Sequence, residues 1–220
     1  ALLVLLGFSI LAAVSFGTMS IPMGDVYRVI VHELFGWGDP AVWGRGGVHD
    51  VVWLIRLPRL VLAVGVGMGL SVCGVVMQAI VKNPLADPYV LGVSSGAKLA
   101  VGAVMIFGMK LWGRVPFGAV MTAAFVGAML CASFVMIVSR KIHSMAMLLV
   151  VGMMIGNVCS AATDFFVTFA KESDIANLTS WSMGSFSAVS WGNLRICLAV
   201  IAVCLLLCLL LVKPIGAYQF

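Results

Sequence analysis

Six apolar stretches, each close to the length of a membrane crossing, restrict the possible folds of this chain more than any other feature. A bilayer's hydrocarbon core is about 30 Å thick and a helix rises about 1.5 Å per residue, so a crossing needs about 20 apolar residues. Runs of that kind occupy residues 1–19, 60–81, 89–109, 115–138, 145–167 and 194–212. Soluble domains carry about half apolar and a quarter charged residues. With 63% hydrophobic and 10% charged residues, 13 Lys+Arg against 8 Asp+Glu, this chain cannot cover a soluble surface. The expected fold is all-α: a polytopic membrane helical bundle forming a single domain over residues 1–220, solvated mainly by lipid. An even number of crossings returns both ends to one side.

The first run could be a secretion signal, but it lacks a basic leading segment and a small-x-small exit, and it reads as a first span clipped at Ala1. Residues 21–53 hold Asp25, Arg28, His32, Glu33, Asp39, Arg45, His49 and Asp50, which predicts a loop with one short amphipathic helix over 26–35. A second aqueous excursion over 170–191 carries Trp181 and Trp191, residues suited to a membrane interface. Alternating crossings place 21–53, 110–114 and 170–191 on one side, and 82–88, 140–143 and 213 onward on the other. The positive-inside rule does not orient the bundle. Arg28, Arg45, Arg56, Arg59, Arg114 and Lys171 on the first side outnumber Lys82, Arg140, Lys141 and Lys213 on the second. The net charge of +5 is scattered singly or in pairs, without the basic stripe that nucleic acid requires.

Helices in lipid associate where small residues let backbones approach. Gly65, Gly69 and Gly74, then Ala119, Ala123, Gly127 and Cys131, then Gly152, Gly156 and Ser160 supply such ridges. Asp164 reads as a carboxylate wetted at the end of the fifth span, or else as a pathway group. Lys98 reads as a snorkelling lysine near the surface because its helix starts late. The 14 methionines are spread through the spans, and the six cysteines sit within apolar runs without ligand spacing, so no metal site and no disulfide framework is expected. Residues 92–99, GVSSGAKL, imitate a phosphate loop but lack one spacer and the hydroxyl residue after Lys98, and no strand precedes them.

The most informative segment is RLPRLVLAVGVGMGLSVCGVVMQAIVKNPLADPYVLGVSSGA, from Arg56 to Ala97. It resembles the FecCD family, the membrane permease subunits of ABC importers for iron-siderophores, haem and cobalamin. An R-L-P-R block, a Gly-rich span ending in Gln78, an N-P-L-A-D-P turn and an L-G-V-S-S-G-A opening follow in the family's order. Trp181, Gly184 and Ser185 match its weaker W-x-x-G-S signal. The family has ten spans in a type II importer fold and this sequence supplies six, so an amino-terminal fragment without the ATPase-docking helices is expected.

The resemblance implies an all-helical permease that performs no covalent chemistry and is not an enzyme. It would sit in the cytoplasmic (inner) membrane of a bacterium or archaeon as a homodimer, with ATPase subunits below and a substrate-binding protein above. The path would take an iron chelate, haem or cobalamin. No cofactor and no metal is expected in this subunit, since ATP and Mg belong to the partner ATPase. The loops over 20–59 and 168–193 would then be external. Pro58 is expected to bar a regular helix before it, leaving Arg56 and Arg59 at the outer mouth to pair with carboxylates of the binding protein, or to anchor on lipid phosphates. Asn83 and Leu85, in a turn stiffened by Pro84 and Pro88, are the implied cytoplasmic gate, with Asn83 able to cap the following backbone. Gly152, Gly156, Asn157 and Ser160 would line the translocation path at the dimer interface. The rival reading is half of a secondary transporter, with Asp164 and Lys98 as coupling charges.

Overall fold

The computed structural model describes all residues except 18–20, 40–45, 85, 114, 143, 188 and 220, so Leu85, Arg45 and Arg114 lie outside the described residues. Among the described residues the regular structure is entirely helical. The helices are α1 (Leu2–Ser15), α2 (Met23–Phe35), α3 (Leu57–Val81), α4 (Val93–Trp112), α5 (Phe117–Ser139), α6 (Met145–Thr168), α7 (Glu172–Met183), α8 (Trp191–Leu210) and α9 (Val212–Gln219). Among the described residues four helical runs, Gly47–Val81, Phe117–Ser139, Ala146–Thr168 and Trp191–Leu210, are long and apolar enough to cross a membrane, while Leu2–Ser15 and Val93–Met109 are shorter apolar helices. Their outward faces are greasy, with Leu209 69% and Leu210 68% exposed on α8. Such surfaces suit lipid and not water.

The chain divides into two compact units, with the division falling inside α3. The first holds residues 1–72 and 186–213. Here the polar stretch after the first span is more helical than expected. α2 begins at Met23 and buries Val26 and Val29 against Val14, Ile21 and Val52, while Gly36 closes it in the left-handed region. A second helical segment starts at Gly47 and runs through Asp50–Arg56 into α3.

Helical structure continues through Pro58, though the turn before it is not a regular α-helix. Proline lacks an N–H and its ring collides with the carbonyl four residues back in an α-helix. The chain widens instead. Asp50–Arg56 is π-helical, and the Leu57 N–H reaches the Val52 carbonyl five residues back. In that pattern the donor for the Trp53 carbonyl would be residue 58, which has none. Trp191 supplies it, its indole Nε1–H donating to Trp53 O at 2.8 Å while the two rings lie 5.0 Å apart. The π turn and the Trp53–Trp191 contact therefore share one cause.

The second unit holds residues 73–185 and 214–220. α4 is its centre and packs on α5, α6 and α7. Close approach is bought by small residues at four-residue spacing. A Cβ on Gly96 would lie 2.6 Å from the Cys131 Cβ and 2.8 Å from the Gly127 carbonyl, and one on Gly127 would meet Ala100 at 2.6 Å. α7, inside the expected aqueous excursion, docks through Leu178, which is 2% exposed and lies against Gly102 of α4.

Candidate functional site

The two arginines of the R-L-P-R block lie in the first unit, each held by backbone carbonyls. Arg56, in the last turn of the π segment, donates from Nη1 to Val14 O at 2.7 Å and Ser15 O at 3.1 Å. These carbonyls belong to the last turn of α1, where a helix leaves acceptors unsatisfied and carries the negative end of its dipole. Arg56 is thus a cap on α1. Arg59, one turn further, donates from Nη2 to Ser187 O at 2.8 Å, and its Nε is buried with no partner among the described residues. Both side chains are half-buried.

The implied gate turn begins where α3 ends. Lys82 takes a positive φ of 54°, Asn83 N–H returns to Gln78 O, and the Asn83 carbonyl accepts from Ala86 N–H. The Asp87 side chain caps the following backbone, its Oδ1 accepting from Tyr89 N–H at 2.9 Å. Ala86 is buried with Met77 and Val81, and Leu91 and Leu149 pack against them. Asn83 and Asp87 stay exposed above this apolar footing.

Past the turn, Gly92 links the 3-10 turn Pro88–Leu91 to α4 with a φ of 71°. A Cβ there would stand 2.8 Å from Gly152 O and 2.9 Å from Gly156 N, so both the conformation and the space require glycine. The Cys131 thiol donates to Gly92 O at 3.1 Å from the other side. The four residues expected along a path therefore separate. Gly152 and Gly156 are buried against Gly92, because a glycine's bare backbone is what allows such contact, while Asn157 and Ser160 are exposed on α6. Asp164 is exposed within the last turns of α6 and Lys98 is exposed in the second turn of α4.

Several contributors escaped the sequence reading. Gly92 and Gly96 sat inside the phosphate-loop imitation and Ala100 just past it, although their four-residue spacing was the signal for packing. Trp53 and Ser187 had no local signal, since their roles are to offer carbonyls across 138 and 128 residues of sequence. His49, which joins Glu33 Oε1 at 3.0 Å and Asp50 Oδ1 at 3.2 Å, fastens the end of α2 to the start of the long helical run. No group of metal-ligating side chains forms among the described residues.

This arrangement, long apolar helices joined by Pro/Gly turns with arginines and tryptophans at one helix end, is that of an integral multi-pass membrane protein. Its fold matches a solved structure described as a metal-chelate type ABC transporter in an inward-facing conformation, with a TM-score of 0.78 and 24% identity over 100% of this chain and 63% of the other. Residues 4–220 match the family model for the FecCD transport family, and the chain belongs to that family. Its relatives include the vitamin B12 import system permease protein BtuC of Yersinia pseudotuberculosis, 36% identical over 173 residues, 78% of this chain and 51% of BtuC. The hemin transport system permease protein HmuU of Yersinia pestis is 32% identical over 220 residues, 99% of this chain and 62% of HmuU. The chain thus spans between half and two thirds of these relatives' lengths.

Proposed function

We propose that this chain is part of the membrane-spanning permease subunit of an ATP-driven importer in the cytoplasmic membrane, carrying an iron chelate, haem or cobalamin. The observation that carries the reading is the block from Arg56 to Ala97, which spans one helix and the segments at its two ends, within a chain that matches the FecCD transport family from residue 4 to residue 220. Relatives named for vitamin B12 and hemin support the cargo class. The protein works as a homodimer with two ATPase subunits and a substrate-binding protein. ATP and Mg bind the ATPase, and nucleotide shifts the bundle between outward-open and inward-open states through differential contacts.

Within that scheme Arg59 takes the docking role and Arg56 holds α1 beneath it. A carboxylate of the binding protein can replace the Ser187 carbonyl and satisfy Nε together with Nη2, the side-on bidentate geometry of arginine. The turn with Asn83 and Leu85 forms the cytoplasmic gate, and Asn157 and Ser160 line the path while Gly152 and Gly156 fix α6 to Gly92. The test is uptake of a cobalamin and an iron chelate by the intact permease reconstituted with its ATPase and binding protein. Uptake should stop without ATP, and uptake that persists without nucleotide and follows a proton gradient overturns the reading.

A further inference from the structure

A cavity of about 280 Å³ opens in the second unit between the end of α4, the start of α5 and α7. One wall is apolar, formed by Met105, Met109 and Val115; the other carries Asp174, Asn177 and Ser180 along one side of α7. Asp174 is 3% exposed, and among the described residues no ion pair or side-chain hydrogen bond reaches its carboxylate. A carboxylate so placed favours a cation, because it is left with little hydration and no protein partner while it still lines the cavity. Its position in the first turn of α7 lowers that cost, since the helix N-terminus favours negative charge. It does not supply a counter-ion.

We propose that this cavity binds the head of an organic cation, an alkylammonium or alkylguanidinium group. The head pairs with Asp174 and is oriented by the Asn177 amide oxygen and the Ser180 hydroxyl, while the aliphatic stem lies on the methionines. Three observations combine here: a buried carboxylate without a partner, polar acceptors on the same helix side, and a flexible apolar wall opposite. Methionine suits that wall because its thioether adapts to irregular stems. A bare hydrated metal ion is a poorer fit, since one carboxylate and two neutral oxygens leave most of its coordination to water. The inference rests on the cavity's own chemistry and stands apart from the transport reading.

The test uses the intact permease in nanodiscs with 13C-methyl methionine, titrated with n-butylguanidinium and n-butylammonium, with 1-butanol as the neutral control. Met105 and Met109 resonances, assigned through Met105→Leu and Met109→Leu, should shift saturably with the cations and not with butanol. Asp174→Asn should raise half-saturation at least about tenfold, the scale of a lost charge-assisted hydrogen bond, with the Met153 and Met154 resonances unmoved. Asn177→Leu, at an exposed position, should weaken binding less and leaves the buried carboxylate intact. Equal shifts with butanol, or unchanged titration in Asp174→Asn and Asn177→Leu alike, overturn the proposal. A free organic cation and a cationic side chain of a docked protein share this head group. If the binding protein alone reproduces the shifts and blocks butylguanidinium, the side chain is the source; if it leaves them unmoved, the free cation is.

Discussion

Arg56 and Gly92 show how single residues set the geometry of their surroundings. The Arg56 guanidinium lies on the carbonyls that end α1, so removing it leaves those acceptors in an apolar setting without a donor. Charged hydrogen bonds are worth about 1.5–3 kcal/mol each. Arg56→Ala should therefore destabilise the protein by about 2 kcal/mol, read as a lower thermal midpoint in detergent. Arg59→Ala should cost less stability and instead weaken capture of the proposed binding protein, measured by pull-down with that protein in its loaded form. Equal losses of stability in the two variants would remove the distinction. Gly92→Ala combines a left-handed φ with a Cβ driven into backbone atoms at 2.8 and 2.9 Å. The conformational part costs about 1–2 kcal/mol and overpacking about 1–3 kcal/mol. Gly67→Ala on α3 meets nothing within 4 Å and should be neutral or slightly stabilising in the same melt.

At the level of elements, the π-helical stretch and the Trp53–Trp191 pair make a coupled device, and the coupling is measurable. Trp191→Phe keeps an aromatic ring against Trp53 but strips the donor from a carbonyl that Pro58 cannot serve, a loss of about 1–3 kcal/mol. In a Pro58→Ala background residue 58 regains an N–H, so the same Trp191→Phe change should cost at least about 1 kcal/mol less. Thermal unfolding of the four proteins in this cycle gives the interaction energy directly, and additive effects would reject the shared cause. α2 was legible in the sequence because its apolar residues recur at helical spacing, although its start at Met23 was not. α7 was missed as a helix. Its first turn is acidic and its body polar, and only Leu178 and Asp174 are buried, too few to give a period without knowing what they face.

Across the whole molecule, the run from Gly47 to Val81 places Val48 and Asn83 at opposite ends of one helix. α3 alone has 25 residues, about 38 Å at 1.5 Å per residue, which exceeds the hydrocarbon thickness of about 30 Å. Single-cysteine variants Val48→Cys and Asn83→Cys, in a background without native thiols, should react with an impermeant maleimide from opposite faces of sealed vesicles. Labelling of both from one face would refute the crossing. What the sequence determined by itself was an all-helical chain of apolar segments, the bilayer as their solvent, and the turn between α3 and α4. These follow from hydrophobic run length and from the fixed torsions of proline and glycine, both local properties. What only the tertiary structure decided was which groups answer one another over long stretches of chain. Arg56 finds the end of α1, the Trp53 carbonyl finds Trp191, Gly92 finds Gly152 and Gly156, and Asp174 faces a cavity. Each depends on a backbone group or a space that exists only once separate helices have been brought together, and composition and periodicity do not say which partner each group meets.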